Sequence, residues 1–211
     1  MAQFFDLHPD NPQPRLLKQA VAILHAGGVI AVPTDSSYAI ACHMDDKSAA
    51  DRLRQIRRVD EKHLLTMLCR DLSELSNYAR VDNKQFRLLK SITPGPYTFI
   101  LDATREVPRR VSHPQRKTIG IRVPDHRVLQ QLLDAHGAPL IATTLIAPDD
   151  REPLNEPDEI RRRFEKQLDA VIGAGPCPDQ PTTVVDLTPM GTGGDAVLVR
   201  LGRGDPAPLG L

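Results

Sequence analysis

Val29-Ile-Ala-Val-Pro-Thr-Asp-Ser-Ser-Tyr-Ala-Ile-Ala-Cys42 runs a short apolar stretch, rich in β-branched side chains, straight into a loop of hydroxyl and carboxylate groups. Residues 29 to 33 follow Gly27-Gly28 and read as a strand of the buried type, and Pro33, which cannot donate into a continuing ladder, ends it. Thr34, Asp35, Ser36 and Ser37 then stand on a diverted backbone, and Tyr38 adds a ring with a polar tip. Open α/β sheets hold ligands at such strand ends. The same loop also reads as an ordinary Thr/Asp/Ser turn that satisfies its own amides.

Outward from this stretch, helical and strand patterns alternate. Asn11-Pro12 is placed to cap and start a helix whose apolar residues Leu16, Leu17, Ala20, Val21 and Leu24 recur at helical spacing up to Gly27-Gly28. Asp46 or Ser48 caps a second helix through about residue 57, with Ala49, Leu53 and Ile56 inward and a strongly basic C-terminal end. A buried strand is expected over 64–69, helices around 71–78 and 83–91, a break at Pro94-Gly95-Pro96 and a strand over 97–101. A polar, basic connection over about 105–117 leads to a strand from Thr118 that Pro124 stops. A helix from His126 to about 135 and a strand over 139–143 form another strand-helix-strand unit, so two strands deliver threonines at their C-terminal ends. A helix opened by Pro157 and strands over 169–172, 182–187 and 197–201 complete the chain. This order predicts a single α/β domain built on one twisted, mixed sheet with helices on both faces. The last two strands pair antiparallel, because only a glycine-rich connection joins them.

Composition narrows the function. Lysine plus arginine and aspartate plus glutamate are 27 each, so no global charge draws in nucleic acid, membrane or an acidic partner, and any anion site is local. No apolar run approaches the roughly 20 residues of a membrane span, and the opening Met-Ala-Gln-Phe-Phe has no secretory pattern, so a cytoplasmic protein without membrane contact is expected. Cys42, Cys69 and Cys177 lack Cys-x-x-Cys spacing, which argues against a disulfide framework and a structural zinc site and for buried thiols. Cys42 and His43 are adjacent and point to opposite faces of a strand, which makes a nucleophile and base pair of the two improbable. Arg161-Arg-Arg163 is assigned to solvent, since consecutive helical residues fan out by about 100° each and form no single patch. Low aromatic content leaves no obvious interface anchor and the oligomeric state open.

Three basic groupings could meet phosphate: Arg57-Arg58 with Lys62, Lys117 with Arg122, and Arg200 with Arg203. Taken singly, each is more often a solvated face. Neither a Walker-type loop nor Gly-x-Gly-x-x-Gly follows a strand, so a nucleotide site here has to be of another kind.

Taken together and in order, Gly27-Gly28-Val-Ile-Ala-Val-Pro-Thr-Asp35, Pro94-Gly-Pro-Tyr-Thr-Phe-Ile-Leu101, Gly120-Ile-Arg-Val-Pro-Asp-His126, Pro139-Leu-Ile-Ala-Thr-Thr144, Pro181-Thr-Thr-Val-Val-Asp-Leu187 and Val199-Arg-Leu-Gly202 resemble the YrdC family of threonylcarbamoyl-AMP synthases. The likeness runs over nearly the whole chain, one domain over 1–211 with about 13–203 as the matching core. Phe4-Phe5 to Pro12, Cys69 to Ser76 and Val107-Pro-Arg-Arg110 look closest to its YciO branch. The resemblance implies a YrdC-like fold with a large concave basic cavity. It also implies a reaction in which threonine, bicarbonate and ATP give threonylcarbamoyl-AMP and pyrophosphate, the product serving transfer RNA modification. ATP is then a substrate with magnesium carried on its phosphates, no cofactor is held tightly, and no metal cage is expected. Some family members are described as binding double-stranded RNA, so tRNA or double-stranded RNA joins ATP, AMP, threonine and bicarbonate as an expected partner.

Carried over position by position, the resemblance gives Arg58, the arginine of a Lys-x-Arg motif, and Thr144, standing for the serine of Ser-x-Asn, catalytic roles. Thr34, Tyr38 and Arg122 fall to the amino-acid substrate, and Arg57, Lys62, Lys117, Thr182 and Arg200 to the nucleotide. Two positions depart from the pattern: Ile56 stands where the motif lysine belongs and Ile146 where the asparagine belongs. A one-residue gap puts Arg57 at the lysine position instead, keeping the charge but not the compact ammonium. Losing two such contacts, each worth about 2 to 4 kcal/mol in a transition state, slows synthesis by several powers of ten. His63 and Asp35 lie near the site loops, and each can be an acid-base group or a structural one. The competing class is an RNA-binding module that kept the cavity and lost the chemistry; a third reading is a protein that binds a carbamoylated ligand without turnover.

Overall fold

The computed structural model describes residues 1–109, 111 and 113–210; Arg110 of the Val107–Arg110 segment and Leu211 at the end of the expected domain lie outside the described residues. Among the described residues eleven strands and six α-helices follow one another as β1 (Gln3–Asp6), α1 (Pro14–His25), β2 (Ile30–Val32), β3 (Ala39–His43), α2 (Lys47–Arg57), β4 (Thr66–Leu68), α3 (Leu72–Tyr78), β5 (Ala79–Arg80), α4 (Asn83–Ile92), β6 (Tyr97–Ala103), β7 (Thr118–Arg122), α5 (Arg127–His136), β8 (Leu140–Thr144), α6 (Pro157–Phe164), β9 (Ala170–Gly173), β10 (Thr183–Asp186) and β11 (Val197–Arg200). The strands form one mixed sheet in the order β1-β9-β2-β3-β8-β4-β7-β6-β10-β11, with β5 added beside β6.

The local signals act as their chemistry requires. Asp46, Asp71 and Asp82 cap α2, α3 and α4 by accepting from the amides of Ala49, Glu74 and Gln85 at 2.8 to 2.9 Å. At Asp82 the Gln85 side chain returns the bond and completes a capping box. Helix α1 starts at Pro14 and not at Pro12, because the His8 ring accepts the amides of Asp10 and Asn11 and holds that stretch as a turn. It ends where Gly27 takes φ +82° and the Gly28 amide reaches back to the Ile23 carbonyl at 2.9 Å. A Cβ on Gly28 would collide with Ile23, so α1 and β2 approach as closely as a glycine allows.

Two apolar layers sandwich the sheet. On one face α2, α3, α4 and α6 cover Ile40, Met67, Phe99, Leu101, Ile119, Ile121, Ile141 and Val185. On the other, Leu17, Ala20 and Leu24 of α1 and Val128, Leu129, Leu132 and Leu133 of α5 cover β9, β2, β3 and β8. The helices lie on both faces as expected, and β10 with β11 is antiparallel as expected. Strands β1 and β5 are additions to the sequence reading, which places only Cys42 and His43 of β3 on a strand. In β3 the alternation Ala39-Ile40-Ala41-Cys42 is masked because both faces are buried and all residues apolar. No helix of the described residues is long and apolar enough to cross a membrane.

Candidate functional site

Helices α1 and α5 cover only half of their face. Beyond Ala39, Leu68 and Ala142, which pack under α5 and also border open space, the sheet is uncovered and forms the floor of a cavity of about 270 Å³. Strand alternation selects that floor. Register places Thr66 between Ala142 and Gly120, Gly120 beside Ile100, and Val184 between Thr98 and Arg200. Gly120 keeps the floor low: a Cβ there would meet nothing closer than Thr98 Cγ2 at 3.5 Å, so its absence leaves room for a ligand and relieves no clash.

Charge inside the cavity is of one sign. Arg116, Arg122 and Arg200 line it with the hydroxyls of Thr66, Thr98, Thr118, Thr143, Thr144 and Thr182. Among the described lining residues none is aspartate or glutamate. Arg122 is fixed from behind: its Nη2 donates to Asp35 Oδ1 at 2.6 Å and to Ser36 Oγ at 3.2 Å. Arg122 and Asp35 side chains are only 8% and 9% exposed, and Asp35 also accepts the Asp125 amide. Arg122 Nε is buried without a partner. Burial pushes the Arg122 guanidinium down, Asp35 pushes it up, and the nearby Arg200 pushes it down again. Arg200 donates through Nε and Nη2 to the Thr182 carbonyl at 3.3 and 3.0 Å, and Thr182 Oγ1 lies 2.9 Å from Thr98 Oγ1. Gly202 lets the chain after β11 press on Pro181 and Thr182, where any Cβ would strike backbone. Two guanidinium groups that repel each other, one with an unmet donor, make a cavity that an anion stabilises.

His63 and His113 stand at the rim. His63 Nε2 lies 2.9 Å from Thr143 Oγ1, and its backbone amide is held by Asp60 Oδ1 at 3.2 Å. Burial lowers its pKa first, with Arg57 and Arg54 adding to the effect against Asp60. Arg57 Nη1 donates to the Ile146 carbonyl at 2.6 Å, whereas Ile56 is buried in the core between α2 and the sheet. The segments of the two departing motif positions therefore meet through Arg57.

Of the residues singled out from the sequence, Thr144, Arg122, Thr182, Arg200 and His63 line the cavity. The others lie elsewhere. Thr34 Oγ1 donates to the Ser37 carbonyl at 2.6 Å and accepts the amides of Ser36 and Ser37, so it holds its own turn. With Asp35, His126 and Arg203 it borders a neighbouring recess of about 570 Å³, behind the Asp35–Arg122 pair. Tyr38 is fully buried; its hydroxyl donates to the Gly175 carbonyl at 2.9 Å, and burial raises its pKa. Arg58 takes the left-handed position that ends α2, 71% exposed and 3.9 Å from Asp149. Lys62 is exposed on the turn before β4. Lys117 belongs to an adjoining groove with Arg80, Arg105 and Arg109, which shares His113 with the cavity. Arg116, His113, Thr66, Thr98 and Thr118 were not singled out, since each reads as an ordinary loop or strand residue until the register sets it beside the others. Among the described residues no three His, Cys, Asp or Glu side chains group so as to hold a metal ion. All three cysteines are buried, and burial pushes Cys177 up to about 12.

Comparison with known proteins agrees with this architecture. The family model for Sua5, YciO and YrdC, described as telomere recombination, matches residues 22–202. YciO of Escherichia coli K12, itself uncharacterized, is 51% identical over 208 residues, 99% of each chain. The E. coli YciO crystal structure superposes with a TM-score of 0.92 over 99% of this chain and all of that one. Threonylcarbamoyl-AMP synthase of Halorhodospira halophila is 30% identical over 165 residues, 78% of this chain and 85% of the relative. P. abyssi Sua5 complexed with L-threonine shares the fold at a TM-score of 0.85 and 20% identity, over 94% of this chain and 57% of that one. The family model covers most of the chain and the E. coli relative nearly all of it, and the chain belongs to the Sua5/YciO/YrdC family.

Proposed function

We propose that the chain binds ATP in the cavity and joins it to L-threonine and bicarbonate, giving threonylcarbamoyl-AMP and pyrophosphate at a low rate. The observation that carries this is the lining itself: three guanidinium groups and six threonine hydroxyls with no described carboxylate, on the open half of the sheet. In this reading Arg122, held by Asp35 and Ser36, and Arg200, held on the Thr182 carbonyl, neutralise phosphate charge as the α-phosphorus changes partners. The Thr98–Thr182 pair and Thr144 hydrogen-bond ligand oxygens. Magnesium arrives on the nucleotide phosphates, because the described lining offers it no carboxylate. The family relation to a threonylcarbamoyl-AMP synthase and the threonine complex of P. abyssi Sua5 support the substrate choice. A slow rate follows from Ile56 and Ile146, of which the first is core and the second offers only a carbonyl that Arg57 already occupies.

Purified protein incubated with ATP, magnesium, threonine and bicarbonate should form threonylcarbamoyl-AMP and pyrophosphate detectable by mass spectrometry. An Arg200→Met variant should lose at least tenfold of the rate, since a hydrogen bond to a charged group is worth about 1.5 to 3 kcal/mol. Failure of the protein to bind either ATP or threonylcarbamoyl-AMP at millimolar concentration would sink the proposal.

One observation favours a second reading. Arg80, Arg105, Arg109, Lys117 and His113 line a groove of about 820 Å³ that opens beside the cavity, and a phosphate backbone fits that single-signed track. Double-stranded RNA binding should then weaken with salt, and Arg105→Ala with Lys117→Ala should lower the salt slope by about 2. An unchanged slope rejects RNA docking there.

A further inference from the structure

Carbamoylation of an amino acid starts with a proton. An α-ammonium has no lone pair, so its nitrogen attacks carbon only after a base has taken one proton from it. The cavity offers few bases. Arginines stay charged, threonine hydroxyls are far too weakly acidic or basic to exchange at neutral pH, and the described lining contains no aspartate, glutamate, lysine, cysteine or tyrosine. Only His63 and His113 remain among the described residues.

The two histidines are not equivalent. His113 Nδ1 accepts the backbone amides of Gln115 and Arg116 at 3.2 and 3.1 Å, so that nitrogen belongs to the turn preceding β7. His63 has a different surrounding. Arg57 and Arg54 of α2 and Asp60 of the turn before β4 are the charged groups that act on it, and Thr143 of β8 meets its Nε2 at 2.9 Å. Half-burial first, then two cations against one carboxylate, lower its pKa and favour the neutral ring, whose lone pair can take a proton. An Nε2–H donating to Thr143 Oγ1 leaves that lone pair on Nδ1.

We infer that His63 is the proton acceptor that frees the substrate amine, a catalytic residue for the reaction proposed above, on which this inference rests. One ammonium proton passes to His63 Nδ1, and the freed nitrogen forms a C–N bond to the carbon of bicarbonate. The second nitrogen proton leaves with the bicarbonate hydroxyl as water. His63 returns its own proton to solvent, and the carbamate oxygen then displaces pyrophosphate from the α-phosphorus.

The test compares wild type, His63→Gln, His63→Ala and His113→Gln from about pH 5.5 to about pH 9.5, with AMP affinity measured by calorimetry on each. The His63 variants should keep AMP affinity and the KM for ATP while kcat falls about 10²- to 10⁴-fold. Their residual rate should climb at alkaline pH, where the amine loses its proton to water, and free imidazole should restore part of the His63→Ala rate. His113→Gln, whatever it does to the rate, should give no alkaline recovery and no rescue by imidazole, because its Nδ1 is committed to the turn. Independently of turnover, the His63 imidazole resonances should titrate below pH 6.5 and move when threonine is added to the AMP-bound protein. A His63→Gln variant with wild-type kcat and pH profile overturns the inference. So does an imidazole indifferent to threonine. A wild type that binds AMP and threonine but makes no product rejects the synthase reading instead, and the imidazole titration then decides on its own whether His63 meets the amine.

Discussion

Two halves of one sheet face meet opposite fates. Over β9, β2, β3 and β8 most residues pointing to this face are Ala, Ile, Val and Leu, which α1 and α5 bury, with His43 against His136 at one end and Thr144 at the cavity edge as the polar exceptions. Over β4, β7, β6, β10 and β11 the same alternation delivers Thr66, Thr118, Gly120, Arg122, Thr98 and Arg200 beside the apolar Ile100 and Val184, and beyond Leu68 no described helix covers them. Geometry is shared, since register runs unbroken across the join from Ala142 to Thr66 to Gly120. Chemistry differs. A helix laid on the second half would strand hydroxyls and guanidinium groups without water, at a cost of several kcal/mol, so that half stays open and becomes a binding surface. The covered half supplies stability, and on the proposed function the open half supplies the site.

The largest test of that division is at the join behind the cavity. Asp35→Ala leaves the Arg122 guanidinium buried without its carboxylate, which should lower the unfolding free energy by about 3 to 5 kcal/mol in urea titrations. A change below about 1 kcal/mol would mean that Arg122 finds water and that the pair is not needed for the fold. Next, Leu132→Ala on the covered half removes a fully buried side chain of α5 and should destabilise by about 2 to 5 kcal/mol while AMP affinity stays within a factor of about 3. Loss of AMP binding without loss of stability would contradict the separation.

Acid probes the covered half as well. His25, His43 and His136 gather at the ends of α1, β3 and α5, with His43 Nδ1 2.9 Å from His136 Nε2 and the His25 and His136 rings 4.7 Å apart. Burial first, then His43 and His25, pushes His136 down to about 4 from 6.5. A histidine whose pKa falls on folding contributes fully above its unfolded value, so stability should be constant above about pH 6.5 and decline as pH drops toward 4, by about 3 kcal/mol in all. His136→Gln should flatten that decline; an equally steep decline in the variant assigns it to other groups. The smallest stability effect belongs to the open half. Thr118→Val exchanges a cavity hydroxyl for a methyl and should change stability by no more than about 0.5 kcal/mol, yet it should weaken AMP by a few-fold if that hydroxyl meets the ligand.

Much of the fold was legible in the sequence because its signals are local. Asp46, Asp71 and Asp82 cap what they precede, Gly27-Gly28 stops α1, and Pro33 and Pro124 end strands. Most of strand β3 was not legible, since residues buried on both faces show no polar alternation, and β5 is only two residues long. The site divided in the same way. Arg122, Thr144, Thr182 and Arg200 were found through motif order and do line the cavity, whereas Thr34 and Tyr38 sit in a loop whose polar groups satisfy one another and the backbone. Arg58 and Lys62 read as site cations because their charge is visible in sequence, but the direction of a side chain leaving the end of α2 is not.

By itself the sequence determined an α/β domain, the order of its helices and most of its strands, the absence of a global charge field and membership of a family, because caps, turns, periodicity and motif order are properties of neighbouring residues. Tertiary structure alone decided that Arg116, Arg122 and Arg200 share one cavity without a described carboxylate, that His63 meets Thr143 at its rim, and that Gly120 forms its floor. His63, the segment 116–122 and Arg200 are tens of positions apart, and sheet register and the reach of α1 and α5 across one face fix which of them meet.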